Sequence, residues 1–386
     1  MGLKRFVNLV VLSYENYLFS LRRLNADQFF HPTAAAAATH GKDLPLQRKV
    51  QPRRYPRNRN KKKNQQPAAS PELERIRRPP ALLSVRPSAC PVADLDQPNL
   101  HGFTLSGSKI FFTDSAGRLF YYDAQRRCVV TAPNLHAPKC YPFAISVPSS
   151  ADDDGEQVHD LYIMEKLLSP ARKSQFEALS WRERRSGKTW YCESLPPPPF
   201  VHEPANERGA VLCYAVVGDA VCISVHGAGT YCFDTVSKTW SRAGDWLMPF
   251  MGKAEYVPEL KLWFGISVAD GQLPCAADLS PVVRGDAPGK EYVWGNPDVP
   301  DEWHPAVCSP VEIVSLGSGR FCIDNFFHTM NDDQFPDIDS EFAVFTGLEV
   351  ITENASKSGG RAKLRMIKHK SKIWDFFNSC VIKSVH

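Results

Sequence analysis

The sequence contains no apolar run near the ~18–20 residues that span a bilayer, and no two of its 11 cysteines stand in CxxC spacing. The first absence predicts no membrane-spanning helix. The second removes the usual dithiol redox and zinc-ribbon motifs. There is no GxSxG elbow, no HExxH helix, no GxxxxGK[ST] loop and no GxGxxG turn. The 11 histidines show no metal-ligand spacing. The sequence therefore names no catalytic residue, metal ligand or cofactor site. Gly227-Ala228-Gly229 reads as a hairpin turn between two strand-like runs, because a phosphate loop needs a helix N-terminus behind it. The acidic stretch Asp332 to Glu341 lacks the sixth-position glycine of a calcium loop, and reads as a solvated loop. The opening residues Lys4, Arg5 and Phe6 to Leu12 fit the basic and apolar parts of a leader, but Asn8 interrupts the run and the polar Tyr14-Glu15-Asn16 follows, so no leader is expected.

What is present favours strands. Hydrophobic residues make up 43% of the 386, enough for a substantial core, and 31 prolines punctuate short apolar runs. Cys213, Cys222 and Cys232 lie inside such runs, VLCYAVV, AVCISV and TYCFD. They read as small buried hydrophobes in a reducing compartment rather than as a disulfide framework.

The net charge of +4 conceals an uneven distribution. Between Lys42 and Arg78 stand 13 Lys/Arg and 3 Asp/Glu, which leaves 33 basic and 39 acidic residues elsewhere. Nine of the cations fall between Arg48 and Lys63 with no acid among them. Low hydrophobicity, like charge and scattered proline cannot offset the entropy of ordering, so residues 31–81 are expected to be a disordered basic insert. Arg53, Arg54, Arg57, Arg59, Lys61, Lys62 and Lys63 are candidates for nuclear import or phosphate contact. Tyr55 is the one aromatic among them, too few for base stacking.

A unit recurs from about residue 82. Its first copy is GSKIFFTDSAGRLFYYDAQRRCVV and its second is VGDAVCISVHGAGTYCFDTVSKTW. In both, a strand, a polar turn and an aromatic strand ending in aspartate (Asp123, Asp234) lead to a further turn and strand. Weaker copies run from Asp160 to Trp190, Leu262 to Trp294 and Gly319 to Ile367. A period of 40–60 residues with four strands per unit is the pattern of propeller blades. A single blade cannot cover its own apolar faces, and a ring of blades can. The expected fold is all-β, a kelch-like β-propeller of about five or six blades. Two N-terminal strands within residues 1–30 would close the ring, the propeller would occupy 82–376, and 377–386 would be a tail.

The segments MGLKRFVNLVV, YCFDTVSKTWSRAGDWLMPF, GKAEYVPELKLWFGIS and EFAVFTGLEV resemble a large plant family expanded in grasses, whose members carry the kelch-like domain of unknown function 1618. That resemblance implies a kelch-like propeller and implies no reaction, cofactor or ligand.

These readings converge on a non-catalytic, intracellular interaction or adaptor module, cytoplasmic or nuclear and monomeric, with a protein or peptide partner. Trp246 and Trp303, beside Pro249 and Pro305, are its candidate ligand-facing aromatics, while the other tryptophans read as core. Two alternatives differ in kind. An enzyme would need titratable groups converging at a channel mouth. A nucleic-acid-associated nuclear protein would act through the basic segment.

Overall fold

The computed structural model describes residues 4–46, 73–87, 99–105, 108–151, 157–184, 187–202, 209–269, 273–289, 291–295, 299–306, 311–331, 337–353, 363–376 and 380–386. Over these residues the chain is all-β, with one seven-residue helix and three short 3-10 turns.

β1 (Phe6–Ser13) and β2 (Leu18–Asn25) form a hairpin with Phe6 opposite Asn25. α1 (Ala34–His40) is capped by the Thr33 hydroxyl, which accepts from the Ala36 N–H at 3.1 Å. β3 (Lys42–Leu44), β4 (Glu74–Arg75) and β5 (Leu83–Val85) are short. β6 (Leu100–Thr104), β7 (Lys109–Asp114), β8 (Leu119–Asp123) and β9 (Cys128–Thr131) form a four-stranded antiparallel meander. β10 (Pro142–Ala151) and β11 (Gln157–Glu165) begin a second one. β12 (Leu167–Leu168) steps out of it, and β13 (Phe176–Arg184) and β14 (Gly187–Ser194) complete it.

β15 (Gly209–Val217), β16 (Ala220–Val225), β17 (Gly229–Asp234) and β18 (Thr239–Gly244) make a third meander. β19 (Phe250–Val257), β20 (Leu262–Ser267), β21 (Pro274–Ala277) and β22 (Glu291–Val293) make a fourth. Parallel pairing of β15 with β19, Tyr214 opposite Lys253, joins these two into one nine-stranded sheet that also takes β12. β23 (His304–Pro305), β24 (Glu312–Gly317), β25 (Arg320–Met330), β26 (Ile338–Glu353) and β27 (Lys363–Asp375) build the last, edged by β3 and β4. β28 (Cys380–Val385) then pairs with β1, giving a sheet ordered β28-β1-β2-β5.

The apolar runs of the sequence are explained by burial on both faces. In β1, Val7, Leu9 and Val11 pack into a core shared with Val314, Phe345 and Trp374 of the β24–β27 sheet. The opposite face of the same strand sends Val10 and Leu12 against Ile110, Phe112 and Tyr122 of the β6–β9 sheet. A strand sandwiched in this way reads as a continuous hydrophobic run rather than an alternation. The same division recurs elsewhere. Leu161 and Ile163 face Phe111 and Tyr121, whereas Tyr162 and Met164 face Ile223 and Phe233. Cys213 and Ala215 face Phe250 and Cys275, and Phe264 and Ile266 face Phe321 and Leu348. All eight tryptophans lie in or against one of these cores.

The recurring aspartate marks a recurring turn. Asp123 Oδ1 accepts from the N–H groups of Gln125 and Arg126 at 2.9 and 3.0 Å. Asp234 Oδ1 accepts from Val236 and Ser237 at 2.9 and 2.7 Å. Four residues on, Arg127 and Lys238 both take a left-handed backbone, φ 55° and 56°. These are the same aspartate-closed hairpin, written twice. Gly227-Ala228-Gly229 is the expected hairpin turn, with Gly227 at φ 77° and Gly229 at φ 95°.

Two stretches differ from the sequence reading. Within the expected disordered segment 31–81 stand α1, β3 and β4. β3 and β4 add to β27, and Leu46 bridges to Trp294. A short edge strand gains its hydrogen bonds from a long neighbour and needs little hydrophobicity of its own. Residues 47–72, with the basic run, lie outside the described residues. Within the expected tail 377–386, β28 is a paired strand whose Ile382 and Val385 are buried.

Candidate functional site

β24 opens with Glu312, which the register sets directly opposite Asp324 on β25. Residues facing each other across an antiparallel pair share a face of the sheet, so two carboxylates are brought side by side. The Glu312 N–H donates to Asp324 Oδ1 at 2.8 Å, and the Val385 N–H donates to Glu312 Oε2 at 2.7 Å. Asp324 Oδ2 is buried without a hydrogen-bond partner among the described residues. Burial pushes both acids up, Glu312 to about 7, and the neighbouring Glu312 charge pushes Asp324 further. The pair lines a cavity of about 260 Å³ between the β28-β1 hairpin region and the last sheet, walled by Tyr14, Phe326, Phe376 and Lys383.

A charged group of opposite character stands near it. Burial alone would raise Glu255 of β19, but Lys253 and Lys4, at 3.4 and 3.9 Å, hold it down at about 2, helped by the Ser315 N–H. The same two lysines act on His386, which burial first and then their charge push down to about 3. His101 of β6 is lowered to about 4 by burial and by Lys383. Tyr214 of β15 is raised by burial and by the charge of Glu312. Side chains on or beside β1, β6, β15, β19, β24 and β28 thus act on one another electrostatically. For Glu255 the cations outweigh burial, whereas for Glu312 burial outweighs the pull of Lys253 and Lys166.

A second cluster forms in the β10–β14 sheet. Glu177, fully buried, receives Lys139 as an ion pair, the His136 backbone N–H at 2.9 Å and the His136 ring Nδ1 at 2.6 Å. The Cys192 thiol donates to the same carboxylate at 3.2 Å. Donor atoms of His136, Glu177 and Cys192 lie within 4.8 Å of one another. Their separations fit hydrogen bonds: Nδ1 and Oε2 are closer than two ligands of one tetrahedral zinc ion, bound at ~2.0–2.2 Å each, would stand. Nor does the cluster make a nucleophile. Burial and the Glu177 charge push the thiol up, and the ring nitrogen that could serve as base is already bonded to Glu177. What the geometry provides is a buried carboxylate held low by the His136 N–H and Lys139 against the cost of burial.

The residues singled out from sequence lie elsewhere. Arg53, Arg54, Arg57, Arg59, Lys61, Lys62 and Lys63 are outside the described residues. Trp246 is half-buried against the third and fourth meanders, its carbonyl accepting from the Thr230 hydroxyl at 2.6 Å. Trp303 packs on Phe327 and Phe342, with ring centroids 5.3 and 4.9 Å away. Neither is among the residues lining the cavity. Sequence reasoning missed Glu312 and Asp324. The signal was an acid inside the apolar run RFCIDNFF, and its partner becomes visible only once the strand register is known.

The family model described as protein of unknown function, DUF1668, matches residues 4–374. The chain belongs to that family. The resemblance to domain of unknown function 1618 is thereby corrected: the segments that carried it belong to a chain matched by DUF1668 over almost its whole length. No curated protein matches the DUF1668 chain. Among solved structures it is similar to the β-propeller domain of Cps50 (Swd1) from Myceliophteria thermophila. The match covers 70% of this chain and 99% of that one at 8% identity and a TM-score of 0.25, too remote a likeness to argue from. Among the described residues of the DUF1668 chain no helix is long and apolar enough to cross a membrane.

Proposed function

We propose that the DUF1668 chain is a six-bladed propeller serving as a non-catalytic binding module, with a protein or peptide partner docked where the inner strands meet. The closure of the ring is supported by the cycle of shared cores. The β28-β1-β2-β5 sheet shares one core with β6–β9 and another with β24–β27, and the remaining cores link the intervening sheets in order. The innermost strands β6, β10, β15, β19, β24 and β28 also touch in that cyclic order. The kelch-like subclass rested on the corrected resemblance and is not carried over.

One observation carries the binding reading: polar side chains on or beside the inner strands, Glu255, Glu312, Lys253 and His386, with Asp324 of β25 facing Glu312, gather within electrostatic reach of one another. Polar groups kept together inside an apolar scaffold are what orient and discriminate a ligand. The Glu312–Asp324 pair also favours one second reading, acid–base catalysis, because a carboxyl near 7 can both hold and release a proton at neutral pH. Binding ranks first because Asp324 is 1% exposed, leaving one carboxyl of the two within reach of a substrate.

The test is photocrosslinking. p-Benzoylphenylalanine is placed at Lys253 or Lys383 and, separately, at Val129 or Tyr191 on the outer strands β9 and β14. The reading expects reproducible adducts with one partner from the inner positions only. Adducts from the outer strands alone, or none from the inner pair, would contradict it. Conversion of a substrate panel that Glu312→Gln abolishes would favour the catalytic reading.

A further inference from the structure

The cavity beside Glu312 is lined by more carboxyl groups, Glu312, Asp324 and Glu341, than cations, Lys383 alone. Among the described residues neither Glu312 nor Asp324 has an ion-pair partner, although 15 such pairs are formed elsewhere. Asp324 Oδ2 is buried with no hydrogen bond, and Asp324 is 1% exposed. An uncompensated buried carboxylate costs several kcal/mol in general, so an orphan oxygen here is a feature that wants a cation. Glu341 adds a third carboxylate to the same lining.

The walls specify what sort of cation. Tyr14, Phe326 and Phe376 face the cavity, with the Phe326 and Phe376 rings stacked at 6.1 Å and 26°. Aromatic faces attract soft organic cations. An ammonium already rests there: Lys383 Nζ lies 5.4 Å from the Tyr14 ring centroid and donates to the Tyr14 hydroxyl at 3.2 Å. The volume of about 260 Å³ accommodates a four- or five-carbon chain with its charged head.

We infer that this cavity binds an alkylammonium group the size of a lysine side chain, its charge against Glu312 with Asp324 behind, and its methylenes against Phe326 and Phe376. The inference deepens the binding-module reading and rests on it. Two sources share this chemistry, a partner's lysine and a free diamine. Uptake would leave the two carboxyls ionised and release protons.

The experiment is calorimetric titration of the full chain with four probes: n-butylammonium, n-butanol, 1,4-diaminobutane and N-acetyl-lysine methylamide. Butylammonium is expected to bind at least tenfold more tightly than butanol. Asp324→Asn should weaken it tenfold or more. Lys383→Met, which removes a competing charge and leaves the core intact, should tighten it at least threefold. Tighter binding of the lysine derivative than of the diamine assigns the source to a partner, and the reverse assigns it to a free diamine. The inference is overturned by equal binding of butanol and butylammonium, by indifference to both substitutions, or by heat from calcium chloride with butylammonium silent. Crosslinks from Lys383 in the absence of ammonium binding would sink this inference while leaving the binding module standing.

Discussion

Glu312 and Asp324 face each other across β24 and β25, joined by the Glu312 N–H to Asp324 Oδ1 bond of 2.8 Å, and share one face of the sheet with no ion-pair partner among the described residues. The consequence is a pH dependence of opposite sign to that of most acids. Glu312 rises from an ordinary 4.5 to about 7 on folding, so between those values the native chain holds a proton that the unfolded chain has lost. Stability therefore falls as pH rises through that window, by about 3 kcal/mol for a displacement of this size. Urea unfolding from pH 4 to 8 checks this. Glu312→Gln, which keeps an acceptor for the Val385 N–H, should flatten the slope and be the more stable protein at pH 8.

Glu255 should behave in the reverse sense. Lys253 and Lys4 hold it at about 2 against burial. It contributes stability above its ordinary 4.5, which is lost as pH falls through about 2. Glu255→Gln should cost on the order of 1–3 kcal/mol at pH 7, allowing for its partial exposure, and only a small fraction of that at pH 2. Thermal unfolding of the two proteins at both pH values measures the difference.

Lys139 and Glu177 are 1% and 0% exposed. Lys139→Met leaves a buried carboxylate beside a half-exposed histidine and should destabilise by about 3–5 kcal/mol. Adding Glu177→Gln should recover a large part of that, since the uncompensated charge is then gone. Chemical denaturation of the single and double variants reads the coupling. Equal stability of the single variant and the parent would show that the ion pair does not hold this sheet.

Cys192, Cys213, Cys222, Cys232, Cys275 and Cys322 are buried free thiols. Cys222 and Cys232 face each other across β16 and β17 with sulfurs 2.9 Å apart. Burial raises Cys192, Cys213, Cys275 and Cys322, and the hydrogen bond to Cys232 followed by burial raises Cys222. Thiolates are the reactive species and all six sulfurs sit in buried residues, so maleimide labelling at pH 7 followed by peptide mass spectrometry should leave these six unmodified until denaturant is added.

The hairpins were legible because their chemistry is local. Asp123 and Asp234 close turns with their own neighbours, and the apolar runs that alternate with them are strands buried on both faces. The site was not legible, because what makes it is a register. Glu312 and Asp324 are 12 residues apart, and nothing in either segment says that they meet until β24 is laid on β25. His136 and Cys192, 56 residues apart, meet for the same reason. The short strands β3 and β4 were not legible because their partners, Arg365, Lys372 and Asp375 of β27, lie some 300 residues further along the chain. Trp246 and Trp303 drew attention as aromatics in loops, yet both are half-buried against cores where a large ring is ordinary packing.

The arrangement as a whole turns on β28, which bonds to β1 and touches both β6 and β24. Removal of residues 380–386 takes away Ile382 and Val385, each worth ~1.5–3 kcal/mol of burial. Hydrogen exchange on the shortened chain, read peptide by peptide, is the most direct measurement. A closed circle of six sheets requires that protection fall not only in β1 but also in β6 and β24 on either side. Loss confined to β1, with β6 and β24 exchanging as in the full chain, would contradict the circle.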